Sequence, residues 1–333
     1  MADGDGRIGE ATHHSVGDAA ELGIEGLAEV TVIGSGGSST VYRARQPTLD
    51  RTVAIKVIHA AWSIETRERF EHEREVMGRL SGHSAIVPIF ETGITKRGEP
   101  FLLMPFYERG SLFRLMKDHG PMPWREATFI IEALAQTLAE SHEQGVVHRD
   151  VKPGNVLLTN HLQPRLADFG ITLPVGMTTS GSAVAYTPSY SPPEAFAAGV
   201  AQPTIDVYSL GATLWALLAG RAPFTEAGEN VDVSVVIERS TKQQLGPPSS
   251  STPEPLGNLI ARSMAKEPAR RPENAGAFVA ELRRAIRLSE SYAGGNGNRP
   301  RSRRDLLISS VLVALIVAGL ILAVGGLGWL LFR

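Results

Sequence analysis

The sequence contains no cysteine among its 333 residues. This absence excludes a disulfide-stapled scaffold, a cysteine-ligated zinc ribbon and a thiol nucleophile, and it is typical of a reducing compartment. A strong charge of one sign is also lacking, because 33 Lys+Arg oppose 35 Asp+Glu for a net charge of −2. We therefore expect no bulk attraction to nucleic acid and no nucleic-acid partner. No repeat of about 20–50 residues is visible, which argues against a solenoid or a propeller.

The N-terminal end lacks the basic start and the apolar core of a secretory signal peptide. Residues 1–26 are rich in glycine and have no sustained apolar period. We expect them to form a disordered N-terminal arm.

One long apolar run lies near the C-terminal end. Residues 306–332 include no charged residue, and they exceed the roughly 20 residues that cross a hydrocarbon core. Residues 289–305 form a Gly/Asn-rich segment that ends in a basic cluster, which predicts a juxtamembrane linker. Because four arginines precede the run and only Arg333 follows it, the positive-inside rule predicts that residues 1–304 are cytoplasmic. We expect one transmembrane helix over 306–332.

Between these ends, the patterns change from strand-like to helix-like. Strand-like runs occupy residues 29–33, 52–58 and 101–104, and helical periods follow at residues 124–144, 204–219 and 275–288. This order predicts an α+β fold, with a small β-rich lobe followed by a larger α-helical lobe.

A glycine-rich segment joins two of the strand-like runs. Its glycines allow backbone N–H groups to approach an anion closely, although a simple hairpin turn has the same composition. It lacks the Lys-Ser/Thr ending of a Walker A loop, and a strand rather than a helix follows it, which disfavours a Rossmann turn. The candidate phosphate-binding residues are Ile33, Gly34, Ser35, Gly36, Gly37, Ser38, Ser39, Thr40 and Val41.

Lys56 lies on the same strand face as Ala54 and Ile58. A lysine on an apolar face needs an anionic partner, because an unpaired buried charge is strongly disfavoured. The next helical stretch, about residues 65–80, places Glu73 inside its apolar stripe. We therefore predict a Lys56–Glu73 ion pair, with a solvated lysine as the alternative.

Two motifs provide the most specific signal. The first reads His148-Arg149-Asp150-Val151-Lys152-Pro153-Gly154-Asn155, and the second reads Ala167-Asp168-Phe169-Gly170. With the glycine-rich segment and Lys56, they follow the order of the protein-kinase signature set. Over roughly residues 27–288, the chain resembles the protein kinases, and most closely the bacterial membrane-anchored serine/threonine protein kinases of eukaryotic type. The resemblance implies a two-lobed protein kinase fold, with ATP and Mg as cofactors.

The resemblance also implies a role for each charged residue of the motifs. Phosphoryl transfer requires placement and charge neutralisation, so acids hold Mg²⁺ and cations hold phosphate oxygens. Asp150 would orient the substrate hydroxyl and accept its proton, and Lys152 would neutralise charge on the γ-phosphate. Asn155 and Asp168 would coordinate Mg²⁺, while Lys56 would hold the α- and β-phosphates.

The same resemblance places an adenine pocket. Met104 would be the gatekeeper, and adenine would bond to the carbonyl group of Pro105 and to the backbone of Tyr107. Pro105 lacks an N–H group, but only its carbonyl oxygen is needed there. The ring would lie among four apolar residues, each equally compatible with an ordinary core position: Ile33, Val41, Ala54 and Leu157.

Regulation is expected in the segment that follows Asp168. Its hydroxyl cluster comprises Thr178, Thr179, Ser180 and Ser182. Arg149 adjoins Asp150, the arrangement in which kinases use a phosphate in this segment to form new arginine pairs. We hypothesise autophosphorylation in this cluster, at Thr178 or Thr179, which in trans would involve a homodimer.

Three further residues have structural roles by resemblance. Glu194 would pair with Arg271 in the helical lobe, and Asp206 would hold the backbone of the first motif. Thr187 lies in the segment that would face the substrate.

The sequence thus favours a serine/threonine protein kinase that acts on protein hydroxyls at a bacterial inner membrane, with the kinase domain in the cytoplasm. Two alternative functions are compatible with parts of the pattern. One is a catalytically inactive, membrane-bound binding module, and the other is a small-molecule phosphotransferase.

Overall fold

The computed structural model describes residues 22–36, 39–59, 85–168, 173–174, 187–196, 202–226 and 231–295. The N-terminal part of these residues forms a five-stranded antiparallel sheet with the order β1-β2-β3-β5-β4. Its strands are β1 (Ala28–Ser35), β2 (Ser39–Gln46), β3 (Arg51–Ile58), β4 (Glu91–Ile94) and β5 (Pro100–Pro105). Each strand-like run predicted from the sequence lies within one of these strands, which confirms the β-rich lobe.

Strand β3 is covered on both faces of the sheet. Ile55 packs into the apolar cluster of one face, whereas Ala54 packs into that of the other. Lys56 stands in register between Val41 of β2 and Leu102 of β5. Because alternate residues of a strand share a face, Lys56 lies on the face of Ala54.

Helices dominate the later part of the described chain. They are α1 (Leu112–His119), α2 (Trp124–Glu143), α3 (Pro193–Phe196), α4 (Pro203–Ala219), α5 (Val233–Lys242), α6 (Glu254–Ser263) and α7 (Ala275–Gly295). Short strands accompany them, with β6 (Val146–Val147) paired to β9 (Leu173–Pro174) and β7 (Val156–Leu158) paired to β8 (Pro164–Leu166). The predicted helical lobe is therefore confirmed.

Helix α4 forms the centre of the large apolar cluster. It is buried on nearly all sides, as expected of a helix that is apolar all round. Pro203 occupies its first turn, and Gly220 ends it with a left-handed φ of 71° while donating its N–H to the carbonyl of Ala216.

Helix α7 extends beyond the boundary expected at residue 288. It continues to Gly295, so residues 289–295 are helical rather than part of an irregular linker. The side chains at 289–293 lack the apolar spacing on which our boundary depended, yet they are compatible with a helix. The glycine pair at 294–295 is a natural end, because glycine loses most backbone entropy in a helix.

Several predictions concern residues outside the described ranges. They include the N-terminal arm up to residue 21, Gly37, Ser38, the helix at 65–80 with Glu73, the cluster Thr178, Thr179, Ser180 and Ser182, and the apolar run at 306–332. Among the helices that the structure describes, none is both long and apolar enough to span a membrane.

Candidate active site

Asp206 fixes the backbone of the first motif. This buried residue of α4 accepts the backbone N–H of His148 at Oδ2 (2.8 Å) and that of Arg149 at Oδ1 (2.6 Å). His142, at the end of α2, places Nε2 2.9 Å from the same Oδ2 atom. Burial raises the pKa of Asp206. The hydrogen bond and charge of His142, together with the other partners of Asp206, lower it by more, so the pKa of Asp206 lies below its ordinary value. The role predicted for Asp206 is confirmed.

The backbone of the first motif adopts a conformation that few residues tolerate. Arg149 has φ of 71°, and Asp168 of the second motif has φ of 64°. Left-handed φ values in residues other than glycine persist where the surroundings enforce them, and they concentrate at functional sites. At Arg149, the hydrogen bond from its backbone N–H to Asp206 holds this conformation.

The imidazole of His148 links the two motifs. Its Nδ1 accepts the backbone N–H of Asp150 (3.2 Å), and its Nε2 lies 3.1 Å from the carbonyl oxygen of Ala167. Burial lowers the pKa of His148, so the ring is neutral at pH 7 with its proton on Nε2. His148 thereby couples the positions of Asp150 and Asp168.

The Asp150 carboxylate is surrounded by three polar side chains. Lys152 donates from Nζ to Oδ2 (2.7 Å), and Asn155 donates from Nδ2 to the same oxygen (2.7 Å). Thr187 donates its hydroxyl to Oδ1 (3.3 Å) and accepts from Lys152 Nζ (2.6 Å). The short 3₁₀ turn Pro153–Asn155 brings Asn155 back toward Asp150. The sequence located Thr187 near the substrate, but it did not predict its bond to Asp150.

Lys56 and Asp168 meet between the two lobes. The Nζ atom lies 2.6 Å from Oδ1, and the two side chains are only 18% and 33% exposed. Burial opposes the ionisation of Asp168, but the charge and hydrogen bond of Lys56 keep its pKa below the ordinary value. An anionic partner for Lys56 was expected from its apolar face. The Lys56–Glu73 pair stays a prediction, because Glu73 lies outside the described residues.

The residues proposed to hold Mg²⁺ offer a suitable donor set. Asn155 uses its Nδ2 group toward Asp150, which leaves its amide oxygen for a cation. Asp168 contributes a carboxylate that is ionised at neutral pH. Among the described residues, no group of three or more His, Cys, Asp or Glu side chains could hold a metal. A site of one carboxylate and one amide fits Mg²⁺, which is commonly completed by phosphate oxygens and water.

Several residues expected around adenine belong to one apolar cluster of the structure. Ala54, Leu102, Met104 and Ala167 are buried together, with Val87. Partly buried residues pack against this group, namely Val41, Ile58, Ile89, Phe106, Tyr107 and Leu157. Five of the residues expected around adenine therefore converge: Val41, Ala54, Met104, Tyr107 and Leu157. Pro105 ends β5 beside them.

Ile33 does not belong to this apolar cluster, and it is 50% exposed on β1. Val87, Ile89 and Ala167 were missed, because nothing in their local sequence distinguishes them from ordinary core positions.

A series of side-chain hydrogen bonds lies at the edge of the glycine-rich segment. Thr40 Oγ1 lies 2.8 Å from His59 Nε2, and His59 Nδ1 lies 2.9 Å from Glu99 Oε1. Ser35 Oγ lies 3.3 Å from Thr40 Oγ1. Thr40 stands opposite Val57 in register, so its side chain occupies the sheet face opposite to Lys56. The side chain of Thr40 is thus directed away from Lys56. We call Lys56, Asp150, Lys152, Asn155 and Asp168 the phosphate-handling cluster.

Packing does not require glycine at positions 34 and 36. A Cβ atom at Gly34 would meet nothing within 4 Å, and one at Gly36 would meet only Ser39 O at 3.9 Å. The Gly36 N–H closes a turn onto that same carbonyl at 2.9 Å. The open space at these positions would allow another group to approach the backbone closely.

The predicted ion pair of the helical lobe is confirmed. Arg271 donates Nη2–H to Glu194 Oε2 at 2.9 Å, and its Nη1 contacts Oε1. The Arg271 side chain is fully buried and also donates to the carbonyl groups of Ala265, Lys266 and Thr204. These bonds satisfy the buried guanidinium.

Comparisons with known proteins agree with this geometry. The family model for the protein kinase domain matches residues 27–281. Serine/threonine-protein kinase PknK of Mycobacterium tuberculosis is 41% identical over 267 residues, which cover 79% of this chain and 24% of PknK. PknL of the same species is 35% identical over 256 residues, covering 75% of this chain and 63% of PknL. A probable serine/threonine-protein kinase PknB of Corynebacterium glutamicum is 34% identical, covering 79% of this chain and 42% of that protein.

The match extends over the sheet, the Asp150 cluster and the helical lobe, but the chain spans only about a quarter of the length of PknK. The domain match covers most of the chain, and relatives named serine/threonine kinases share its kinase region. The chain belongs to the protein kinase family, in its bacterial, eukaryotic-like serine/threonine branch.

Proposed function

We propose that this chain is an ATP- and Mg²⁺-dependent serine/threonine protein kinase. The observation that carries the proposal is the Asp150 carboxylate, which Lys152, Asn155 and Thr187 hold in one orientation. A positioned carboxylate with cationic neighbours is what transfer of a phosphoryl group to a hydroxyl requires.

Asp150 acts on the acceptor hydroxyl. It orients the oxygen and takes its proton as the oxygen forms a bond to the γ-phosphorus, while the bond to the ADP oxygen breaks. Lys152 already contacts Asp150 and Thr187, so it lies where it can offset negative charge on the phosphoryl group. Lys56, which contacts Asp168, would bind phosphate oxygens through its charge.

Asn155 and Asp168 are the residues that would hold Mg²⁺. A bound Mg²⁺ ion supplies charge neutralisation to the phosphate oxygens. The chain's own contribution is to keep Asp168 ionised through Lys56 and to keep the Asn155 amide oriented by its bonds to Asp150.

Protein serine and threonine residues are the proposed acceptors. The Lys152–Thr187 contact of 2.6 Å ties the phosphate-handling cluster to the segment that leads into the helix containing Glu194. The expected test is incubation of the full chain with γ-labelled ATP, Mg²⁺ and a basic test protein, followed by phosphoamino-acid analysis. Label on phosphoserine or phosphothreonine supports the proposal, whereas label only on a small-molecule alcohol or sugar supports a small-molecule phosphotransferase.

We further propose that residues 306–332 anchor the chain in a bacterial inner membrane, with the kinase domain in the cytoplasm. The support is the sequence, since the run has no charge and arginines precede it. The full chain should sediment with membranes after alkaline carbonate washing, whereas a chain ended after Arg304 should not. Equal sedimentation of both would contradict the proposed anchor.

Autophosphorylation among Thr178, Thr179, Ser180 and Ser182 is proposed as the activating step. Arg149 adjoins Asp150, and a phosphate group placed opposite an arginine orders a segment through charge-assisted hydrogen bonds. Mixing active chain with a size-tagged Asp150→Asn chain tests transfer in trans and thus a homodimer. Phosphopeptides from this cluster on the inactive chain are expected, and their absence would contradict transfer in trans.

A further inference from the structure

A cavity in the helical lobe is not used by the phosphate-handling cluster. It has a volume of about 460 Å³. Its lining comprises Phe224, residues 244–245 after α5, residues 260–262 of α6, residues 264–267 and Arg270. This volume lies within the roughly 300–1,000 Å³ of small-molecule sites.

The inner wall of the cavity is apolar. Phe224 and Ile260 are 4% and 3% exposed, and Met264 is 8% exposed. Their side chains belong to the large apolar cluster, so this wall is fixed by core packing. The partly exposed lining residues Leu245 and Ala265 add accessible apolar surface, which favours the hydrocarbon part of a ligand.

The charges around the cavity do not cancel. Arg270 pairs with Glu267 (2.9 Å), and Arg262 pairs with Glu281 (3.0 Å), which lies outside the lining. For Lys266, the described part of the chain supplies no carboxylate within ion-pair distance. Lys266 instead donates from Nζ to the carbonyl oxygen of Ser240 and lies 4.7 Å from the centre of the Phe224 ring.

The environment of Lys266 disfavours its charged form. Burial, with a smaller contribution from the charge of Arg271, lowers the pKa of Lys266 to about 8. An anion beside Nζ would remove that penalty, because an opposite charge within about 4–6 Å favours the ionised form.

We propose that this cavity binds a small organic anion, a carboxylate or a phosphate monoester, whose apolar body packs on Leu245 and Ala265 and whose anionic oxygen accepts a hydrogen bond from Lys266. Two of the three ammonium protons remain for this purpose after the bond to Ser240. The charge-assisted bond provides orientation, and the apolar wall provides contact area.

Three probes test the proposal on the full chain at pH 7. They are 4-phenylbutyrate, phenyl phosphate and the neutral 4-phenylbutanamide, titrated by ligand-observed NMR with excess adenosine to fill the adenine pocket. At least one anion should bind about ten-fold or more tightly than the amide, as expected for a charge-assisted hydrogen bond. The tighter anion identifies carboxylate or phosphate as the class. Equal binding of both anions and the amide would overturn the proposal, as would no binding by either anion.

Matched variants separate the cavity from general charge effects. Lys266→Met should weaken the anion to the level of the amide, whereas Lys266→Arg should retain most of its affinity. Lys242→Met is the control, because Lys242 is 72% exposed and pairs with Glu238 on α5, and it should leave binding unchanged. If Lys266→Met does not fold, Ala261→Phe narrows the cavity from an exposed lining position and should weaken all three probes. Unchanged anion affinity in either of these two variants contradicts the proposal.

Discussion

Lys56 Nζ and Asp168 Oδ1 lie 2.6 Å apart, and this contact joins β3 of the small lobe to the second motif of the large lobe. The charge and hydrogen bond of Lys56 keep the pKa of the partly buried Asp168 below its ordinary value. Lys56 thus helps to maintain the ionised state of Asp168 that cation binding requires.

Lys56→Met should abolish most activity while leaving the fold intact. The variant removes the cation that stabilises Asp168, so kcat is expected to fall by about 10²–10³, as for loss of one electrostatic contact in an active site. Steady-state kinetics with ATP and a protein substrate provide the measurement. Lys117→Met, at an exposed position of α1, should leave kcat unchanged. A similar loss in both variants would show that the effect is not specific to the contact.

Thr187→Val should slow the chemical step without weakening ATP binding. The variant keeps the shape of the side chain but removes the hydroxyl that lies between Lys152 and Asp150. Loss of one hydrogen bond predicts a decrease in kcat of roughly ten-fold, whereas Thr187→Ser should retain most activity. A KM for ATP that rises while kcat is unchanged would contradict the role of Thr187 at Asp150.

Asp206→Asn should destabilise the helical lobe at neutral pH by about 2–4 kcal/mol, because a buried carboxylate with several donors is replaced by an amide. Urea unfolding curves measure the difference. The exposed variant Asp118→Asn on α1 should change stability by less than about 0.5 kcal/mol.

The Asp206 contribution should also depend on pH with a defined sign. The pKa of Asp206 is lower in the folded chain than its ordinary value, so its stabilisation is present above about pH 4 and is lost as the pH falls through the folded pKa. The stability difference between the wild type and Asp206→Asn should therefore narrow below pH 4. A difference that widens there would contradict the shift.

Arg271→Lys should destabilise the chain by about 2–3 kcal/mol, although the charge is retained. Lysine cannot reproduce the forked bonds to Glu194 or the additional bonds to carbonyl groups. Arg270→Lys is a neighbouring control, because Arg270 is 71% exposed and pairs with Glu267 at the surface. Equal unfolding free energies for the two variants would refute the structural role of Arg271.

The parts of the site that are close in sequence could be predicted from it. Asp150, Lys152 and Asn155 lie within one short motif, so their convergence follows from a single turn. Asp206 and Arg271 were placed by resemblance, since their partners are distant in the chain.

Contacts that depend on three-dimensional packing were not predicted. The Lys56–Asp168 contact requires the two lobes to meet, and the chain of hydrogen bonds from Thr40 through His59 to Glu99 requires the register of the sheet. Lys266 is an ordinary lysine in the sequence, and only its burial beside Phe224 distinguishes it.

Single-turnover transfer from γ-labelled ATP with Mg²⁺ tests the central claim most directly. The full chain and its Asp150→Asn variant are compared, with ATP affinity measured in parallel to show that both bind nucleotide. We predict rapid labelling of protein serine or threonine by the wild type and a rate lower by at least about 10² in the variant, because loss of a general base typically costs about 10²–10⁴. Equal labelling rates, or no labelling by either chain, would contradict the assignment of Asp150 as the catalytic base of a protein kinase.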